Sequence, residues 1–291
     1  MSHKKLGRLA LLLILALALP SCRKPVKAEQ RQEEVVTVYS HGYVCNKLIA
    51  HVFHTSLKHP NKLCANAFMI GTMHSFNYSD YLNPLSTYLG QRSDIKRLHK
   101  ACKDHKKVIL VGVSRGASTI INYLGTYKPT NIIAAIVESP FDNFENVAEN
   151  FMATSRVFKR VVTPKNKEKI KHFCRRLLFR NYRPNETQPI NVAPDVPKDI
   201  PLLLISSDQD TLIPAQSTKN IYDVLRKSGH TKAYLLPCKI GSHGRILWGQ
   251  EGQMFRNVVH AFYKHHNVPH HEPWAQKGYA DFMQCSGVVE K

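Results

Sequence analysis

Residues 108–116 read Val-Ile-Leu-Val-Gly-Val-Ser-Arg-Gly and predict a buried strand that ends in a sharp turn. Its first four residues are all apolar, as in the central strand of a parallel sheet that is covered on both faces. Gly112, Ser114 and Gly116 form a G-x-S-x-G pattern, and residues 114–127 have a helical pattern. This order of strand, turn and helix predicts that Ser114 is a nucleophile held on the turn, where only small residues fit two positions before and after it.

A nucleophilic serine needs a base, and the base needs an acid that orients it. Asp210 follows an apolar run at 201–206 that predicts another buried strand. Catalytic groups of open α/β sheets gather where the strands end, so Asp210 is the candidate acid. Asp208 on the same loop is a competitor, and the spacing to Ile213-Pro214 favours Asp210. The other interpretation of Asp208 is a carboxylate that caps its loop.

His243 is the candidate base among sixteen histidines. It follows the last predicted strand, and Gly241 and Gly244 permit a tight loop that directs the imidazole towards the serine. The chain order of serine, acid and histidine is that of a known class of serine hydrolase.

Short β-branched runs alternate with helical stretches along the chain, a pattern typical of a parallel sheet covered by helices. The predicted strands are 35–39, 64–70, 108–112, 132–137, 201–206 and 233–237. The predicted helices are 47–57, 85–105, 114–127, 215–227 and 246–265. The alternation stops at about 144–197, which indicates a helical and then proline-rich insertion. Residues 156–183 within it hold eleven Lys or Arg and one acid, Glu168.

The histidines from His260 to His271 invite a metal interpretation. Their spacing matches no ordinary set of metal ligands, so we predict no metal site and a polar tail at 267–291.

Residues 1–21 have the composition of a signal peptide. Three basic residues precede the apolar run 9–19, which is too short to span a bilayer as a helix, since a span takes about 20 residues. Residues 19–22, Leu-Pro-Ser-Cys, resemble the bacterial lipobox, although the proline departs from its commonest form. We therefore predict export, lipidation of Cys22 and a polar tether at 22–34. The alternative is an ordinary cleaved signal, which gives a secreted or periplasmic protein.

The formal net charge is +20, and residues 1–21 hold three Lys or Arg and no acid, which leaves +17 for the remainder. Such a charge is compatible with nucleic-acid binding. No nucleic-acid module is recognisable, however, and a basic surface near anionic lipid is the favoured interpretation. The six cysteines besides Cys22 permit disulfides, but Cys45, Cys64 and Cys238 lie in apolar segments and equally fit small buried residues.

Residues 35–266 resemble the α/β-hydrolase superfamily in the turn around Ser114 and in the order of the three candidate residues. His41-Gly42-Tyr43, after the first strand, resembles the oxyanion loop of that family. The resemblance implies an α/β fold with a mostly parallel sheet, helices on both faces and the basic insertion as a cap. It also implies an oxyanion hole made by the backbone N–H groups of Tyr43 and Arg115.

The implied activity is that of a serine hydrolase that needs no cofactor and cleaves carboxylic esters, or amides, through an acyl-enzyme. An esterase is favoured over a peptidase of the prolyl-oligopeptidase kind, because no propeller precedes the predicted catalytic elements. A catalytically silent scaffold lipoprotein is the alternative from another class. The basic cap and the Arg115 side chain are candidates for binding an anionic group, and Glu138 is expected to be a structural hydrogen-bonding residue.

Overall fold

A computed structural model describes residues 35–43, 72–80, 88–154, 158–246 and 251–286. The predicted signal peptide, Cys22, the tether 22–34, the helix 47–57 and the strand 64–70 lie outside these residues. The described strands are β1 (Val35–Ser40), β2 (Thr72–Ser75), β3 (Lys107–Val113), β4 (Ile132–Glu138), β5 (Leu202–Ser207) and β6 (Ala233–Cys238). The described helices are α1 (Ser93–Cys102), α2 (Arg115–Tyr127), α3 (Phe144–Thr154), α4 (Phe158–Val161), α5 (Lys167–Leu178), α6 (Pro189–Val192), α7 (Ala215–Lys227), α8 (Gly252–His265) and α9 (Glu272–Ser286).

The six strands form one parallel sheet in the order β2-β1-β3-β4-β5-β6. Because side chains alternate along a strand, β3 contributes to two separate cores. Val108 and Leu110 belong to the core that contains residues of α1, α2 and α7. Ile109 and Val111 belong to the opposite core, which contains residues of α8 and α9. The predicted α/β fold with helices on both faces is therefore confirmed.

The parallel arrangement brings the carboxyl ends of five neighbouring strands to one edge of the sheet. The segments that follow β1, β3, β4, β5 and β6 carry His41, Ser114, Ser139, Asp210 and His243 respectively. Catalytic and ligand-binding residues of open α/β sheets are found at this edge.

The chain between β4 and β5 forms α3, α4, α5 and α6. We call residues 144–183 of this insertion the cap. Phe144 and Val147 of α3 pack with Leu89 and Ile213 from the sheet side, so the cap shares an apolar core with the loops at the edge of the sheet.

The C-terminal region differs from the predicted polar tail, because residues 272–286 form α9, which packs against α8. Phe282 is fully buried in the core beside α8. At Gly278, a Cβ atom would lie 2.1 Å from the backbone carbon of Asn257, so only glycine lets the two helices approach this closely.

His260 is used in the same helix packing. Its Nδ1 accepts the backbone N–H of His271, at 2.9 Å, and its ring lies 4.9 Å from that of Trp274. Within the described ranges, no group of three or more His, Cys, Asp or Glu residues is arranged to hold a metal ion.

The cysteines in the described residues are Cys102, Cys174, Cys238 and Cys285, and all four are free thiols. Cys238 is buried, as its apolar surroundings in the sequence indicate, whereas Cys45 and Cys64 lie outside the described residues. None of the helices in the described part of the chain is long and apolar enough to cross a bilayer.

Candidate active site

Ser114 lies on a strained turn between β3 and α2. Its backbone has φ 56° and ψ −120°, a region that residues other than glycine rarely adopt. Other backbone atoms lie so close to this turn that Gly112 and Gly116 have no room for a side chain. A Cβ atom at Gly116 would lie 1.8 Å from the carbonyl oxygen of Ser40, and one at Gly112 would lie 2.8 Å from the backbone of Gly116.

The strained turn is fixed by backbone hydrogen bonds on both sides. Ser114 N–H donates to the carbonyl of Glu138, at 2.9 Å, and the Ser114 carbonyl accepts the N–H of Ser118, at 3.0 Å. Since Arg115 is the first residue of α2, the N–H groups of the first helical turn begin directly after the serine, where negative charge is stabilised.

Asp210 and His243 form a hydrogen-bonded pair at the same edge of the sheet. The Nδ1 of His243 lies 2.7 Å from Oδ2 of Asp210. The other carboxylate oxygen of Asp210 accepts the backbone N–H groups of Leu212 and Ile213, at 2.9 and 2.8 Å. Burial alone would raise the pKa of Asp210, but the hydrogen bonds from His243 and the backbone outweigh it, so this pKa is lowered.

The competitor Asp208 is exposed, and the structure pairs its neighbour Asp210 with the histidine instead. The turn after β5 carries Asp210 inward, because its carboxylate caps the N–H groups of the residues that follow. The aspartate that the spacing to Ile213-Pro214 favours is thus the one that is hydrogen-bonded to His243.

The loop of His243 has the tight form that its glycines predict, with φ 125° at Gly241 and φ 65° at Gly244. Ser207 Oγ donates to the carbonyl of Gly241, at 2.5 Å, which ties this loop to the end of β5. A Cβ atom at Gly244 would lie 3.4 Å from the side chain of Val113, the residue before Ser114.

Asp210 occupies Nδ1 of His243, which leaves Nε2 as the ring nitrogen available to a serine hydroxyl. The structure records no hydrogen bond between Ser114 and His243 in the described residues. In ligand-free enzymes this bond is often long and shortens when the substrate binds.

The turn after β1 lies against Ser114. A Cβ atom at Gly42 would lie 3.7 Å from the Cβ atom of Ser114, and Tyr43 lines the same cavity as the serine. His41 is buried, its Nδ1 donates to the carbonyl of Gly42 at 2.9 Å, and burial lowers its pKa to about 4. His41 is therefore neutral at pH 7 and helps to shape the turn.

The side chain of Arg115 is buried and its guanidinium is occupied by two carboxylates, so the expectation that it binds a substrate anion is wrong. Its guanidinium donates to both carboxylate oxygens of Asp94, at 2.8 and 2.7 Å, and to Asp80, at 2.8 and 3.0 Å. It also lies 4.3 Å from the ring centroid of Tyr78. Burial alone would lower the pKa of Arg115, but the two carboxylates outweigh it and raise this pKa.

The buried ion pairs of Arg115 with Asp80 and Asp94 join three separate parts of the chain beside the turn that carries Ser114. Sequence reasoning missed it because Asp80 and Asp94 lie far from Arg115 in the chain. Removal of Arg115 would leave both buried carboxylates without a cation, and loss of a partner in this way costs about 3–5 kcal/mol.

Glu138, the last residue of β4, lies near the candidate catalytic residues Asp210 and His243. It is 4% exposed, and its carbonyl holds the N–H of Ser114. Its carboxyl group interacts electrostatically with His243 and Asp210, and Oε1 has no hydrogen-bond partner among the described residues. Burial raises the pKa of Glu138 to about 7. An acid at the end of a buried strand was the sequence signal for this residue, but its proximity to the histidine was not predicted.

A cavity of about 260 Å³ lies between Ser114 and the cap. Its walls are mostly apolar and include Leu89, Phe141, Phe144, Val147, Met152 and Ile213. Lys171 and Arg175 from α5 and Glu145 from α3 are the charged cap residues that line it.

No family model and no curated protein matches the sequence. The structure is similar to an esterase from Pyrococcus furiosus, with 18% identity and a TM-score of 0.57 over 80% of this chain and 84% of that one. It is also similar to the acylaminoacyl peptidase of Pyrococcus horikoshii, with 16% identity and a TM-score of 0.56 over 82% of this chain and 38% of the peptidase. A lipase-esterase related protein from Clostridium acetobutylicum has 12% identity and a TM-score of 0.52, over 81% of this chain and 98% of that one. These similarities show that the chain has the α/β-hydrolase fold.

Proposed function

We propose that this α/β-hydrolase-fold protein is a serine hydrolase that cleaves carboxylic esters through an acyl-enzyme on Ser114. The hydrogen bond between His243 and the buried Asp210, at the sheet edge where the strained Ser114 turn lies, is the observation that carries the proposal. Three residues of the types that nucleophilic catalysis uses follow separate strands at this edge, in the chain order of α/β-hydrolases.

In the proposed reaction, Ser114 Oγ attacks the ester carbonyl carbon while Nε2 of His243 takes the hydroxyl proton. The carbonyl oxygen becomes an oxyanion that accepts hydrogen bonds from the backbone N–H groups of Tyr43 and Arg115. Such donors lower the barrier by about 3 kcal/mol each. When the tetrahedral intermediate collapses, His243 returns the proton to the leaving alkoxide, and the acyl group remains on Ser114.

Water then attacks the acyl-enzyme by the same steps, with His243 as base and then as acid, and releases the carboxylic acid. Asp210 holds the imidazole with Nε2 towards the serine and stabilises the imidazolium. Its bonds to Leu212 and Ile213 keep the carboxylate in place while the charge on the ring changes.

The apolar cavity beside Ser114 favours an ester with a short or medium acyl chain, because its volume of about 260 Å³ lies below the ~300–1,000 Å³ of most ligand pockets. The likeness to a peptidase gives amide cleavage as the second candidate. The hydrogen bond between Asp210 and His243 favours an enzyme over a silent scaffold protein, because a scaffold does not need a base that is oriented by an acid.

The test is hydrolysis of p-nitrophenyl esters with acyl chains from acetate to dodecanoate, beside p-nitroanilides of acylated amino acids. The wild-type protein should cleave the esters with an optimum at short or medium length. Ser114→Ala should lose about 10³-fold or more in kcat, as other serine hydrolases do without the nucleophile. Equal activity of the two proteins on every ester and anilide would refute the proposal.

We also infer that the protein is exported and held at the membrane by a lipid on Cys22. The support is the basic, apolar and Cys-containing pattern of residues 1–22. Expression in bacteria with a radioactive fatty acid should label the wild-type chain and leave Cys22→Ala unlabelled. Label on both proteins, or on neither, would refute lipidation at this residue.

A further inference from the structure

We propose that Glu138 is a positioning residue that acts through His243. Its buried carboxylate stabilises the imidazolium that forms when His243 takes the hydroxyl proton of Ser114. This role rests on the proposed function and adds a second acid, besides Asp210, to the groups that assist the base.

The backbone fixes Glu138 between the strand that leads to the nucleophile and the strand that leads to the acid. Glu138 is the last residue of β4, and its neighbours across the sheet are Val113 of β3 and Ile205 of β5. Its carbonyl accepts the N–H of Ser114, at 2.9 Å, and the N–H of Ser139 donates to the carbonyl of Ile205, at 2.8 Å. These bonds hold Glu138 at the edge of the sheet where the candidate catalytic residues lie.

The side chain of Glu138 lies on the side of the sheet where the segment after His243 packs. Side chains alternate along a strand, so Glu138 points the same way as Ile136, which belongs to the core beside α8. Ile246, three residues after His243, belongs to the same core. The backbone N–H of Ile246 interacts with the carboxyl group of Glu138. Glu138 is therefore tied to the loop that carries the base.

The ionisable groups that face this carboxyl group, in the described part of the chain, come from the ends of the next two strands. They are Asp210 after β5, Cys238 at the end of β6 and His243 after β6. Burial has the largest effect on the pKa of Glu138 and raises it to about 7. Among the charges, His243 lowers this pKa by more than Asp210 raises it. The attraction between the carboxylate and the imidazolium is therefore stronger than the repulsion from Asp210.

The fold alone gains little from a carboxyl group at this position. Glu138 is buried, and its Oε1 atom has no hydrogen-bond partner among the described residues. A buried polar atom without a partner costs about 1–3 kcal/mol. The carboxylate acquires an opposite charge beside it when His243 takes the serine proton, so the compensating interaction belongs to the reaction.

This role predicts a pH dependence that a purely structural residue lacks. Well below pH 7, Glu138 is protonated in the free protein, and a glutamine in its place is equally neutral. Above pH 7, the wild-type protein has a carboxylate near His243 and Glu138→Gln does not. A nearby opposite charge changes a pKa by about 1–3 units, and one unit of this coupling corresponds to a tenfold change in rate.

The experiment measures kcat/KM for p-nitrophenyl butyrate from about pH 5 to 9 in the wild-type protein, Glu138→Gln and Asp208→Asn. Release of p-nitrophenol is followed at its isosbestic wavelength, and the rate with Ser114→Ala is subtracted as background. Asp208→Asn is the matched control, because it removes an exposed carboxylate from the turn after β5. Thermal unfolding over the same pH range shows whether each variant is folded. Glu138→Leu is a second neutral variant of similar volume, which serves if Glu138→Gln does not fold.

The ratio of kcat/KM between the wild-type protein and Glu138→Gln should rise from near 1 at about pH 5 to about 10 above pH 8. The same rise is expected for Glu138→Leu, because leucine also lacks the carboxylate. The ratio for Asp208→Asn should stay within about twofold at every pH, since an exposed charge is screened by water.

A ratio for Glu138→Gln that is the same at every pH would show a structural role alone and overturn the inference, while the proposed function would stand. A ratio that falls as the pH rises, or an equal rise in Asp208→Asn, would also overturn it. Failure of the wild-type protein to cleave this ester or any other of the acyl series would refute the proposed function together with the inference.

Discussion

Replacement of Glu138 by glutamine should change how the stability of the protein depends on pH. Burial raises the pKa of Glu138 from 4.5 to about 7, so the folded protein holds this proton more tightly than the unfolded chain does. As the pH rises from about 4.5 to 7, the unfolded chain releases the proton first and the wild-type protein becomes less stable. One pKa unit corresponds to about 1.4 kcal/mol, so the total loss attributable to Glu138 is about 3 kcal/mol.

The assay is urea unfolding of the wild-type protein and Glu138→Gln at several pH values from 4.5 to 8. The free energy of unfolding of the variant, relative to the wild type, should rise by about 3 kcal/mol between pH 4.5 and 7 and then remain constant. Titrating groups that do not interact with Glu138, such as His41, behave alike in both proteins and cancel in the difference. Glu168→Gln removes an exposed carboxylate and controls for the loss of one negative charge. A difference that stays constant over this pH range would refute the assignment of a buried, proton-holding carboxyl group at Glu138.

The remaining predictions concern the acid, the nucleophile turn and the buried ion pair. Asp210→Asn should lower kcat for ester hydrolysis about 10⁴-fold, because the asparagine favours the wrong tautomer of His243. Asp208→Asn should change kcat by no more than about twofold. Equal losses of kcat in the two variants, measured by steady-state ester hydrolysis, would contradict the assignment of Asp210 as the acid. Gly116→Ala places a Cβ atom 1.8 Å from the Ser40 carbonyl oxygen. The Tm of this variant in a thermal scan should therefore be lower than that of the wild type by at least about 5 °C. An unchanged Tm would contradict this geometry. Arg115→Gln leaves the buried carboxylates of Asp80 and Asp94 without a cation, and urea unfolding should show a loss of about 3–5 kcal/mol. A loss below about 1 kcal/mol would contradict this buried ion pairing.

Much of the fold could be predicted because its signals are local. The apolar run of β3, the glycines around Ser114 and the alternation of strands and helices each depend on residues close together in the chain. The chain order of Ser114, Asp210 and His243 then placed all three at one edge of the sheet. The sequence alone left Asp208 as a competitor, since both aspartates follow the same strand and only the course of the turn separates them.

Features that depend on distant residues could not be predicted. Arg115 looked available to a ligand because Asp80 and Asp94, which neutralise it, lie in segments whose packing the sequence does not specify. Glu138 looked like a structural acid because its distance from His243 depends on how β4 and the loop after β6 meet.

The C-terminal helix had a readable signal that the histidines obscured. Trp274, Gly278 and Phe282 recur every four residues, which is helical spacing, but the polar residues around them favoured the interpretation as a tail. Gly278 now accounts for the close contact with α8.

The most direct test of an activated Ser114 is covalent labelling by a fluorophosphonate probe, with the modified residue located by mass spectrometry. The folded wild-type protein should be labelled at Ser114 alone, His243→Gln should react far more slowly, and Ser114→Ala should not be labelled. Absence of label on the wild-type protein, under conditions in which a control serine hydrolase is labelled, or label on another residue, would contradict the proposed catalytic role of Ser114.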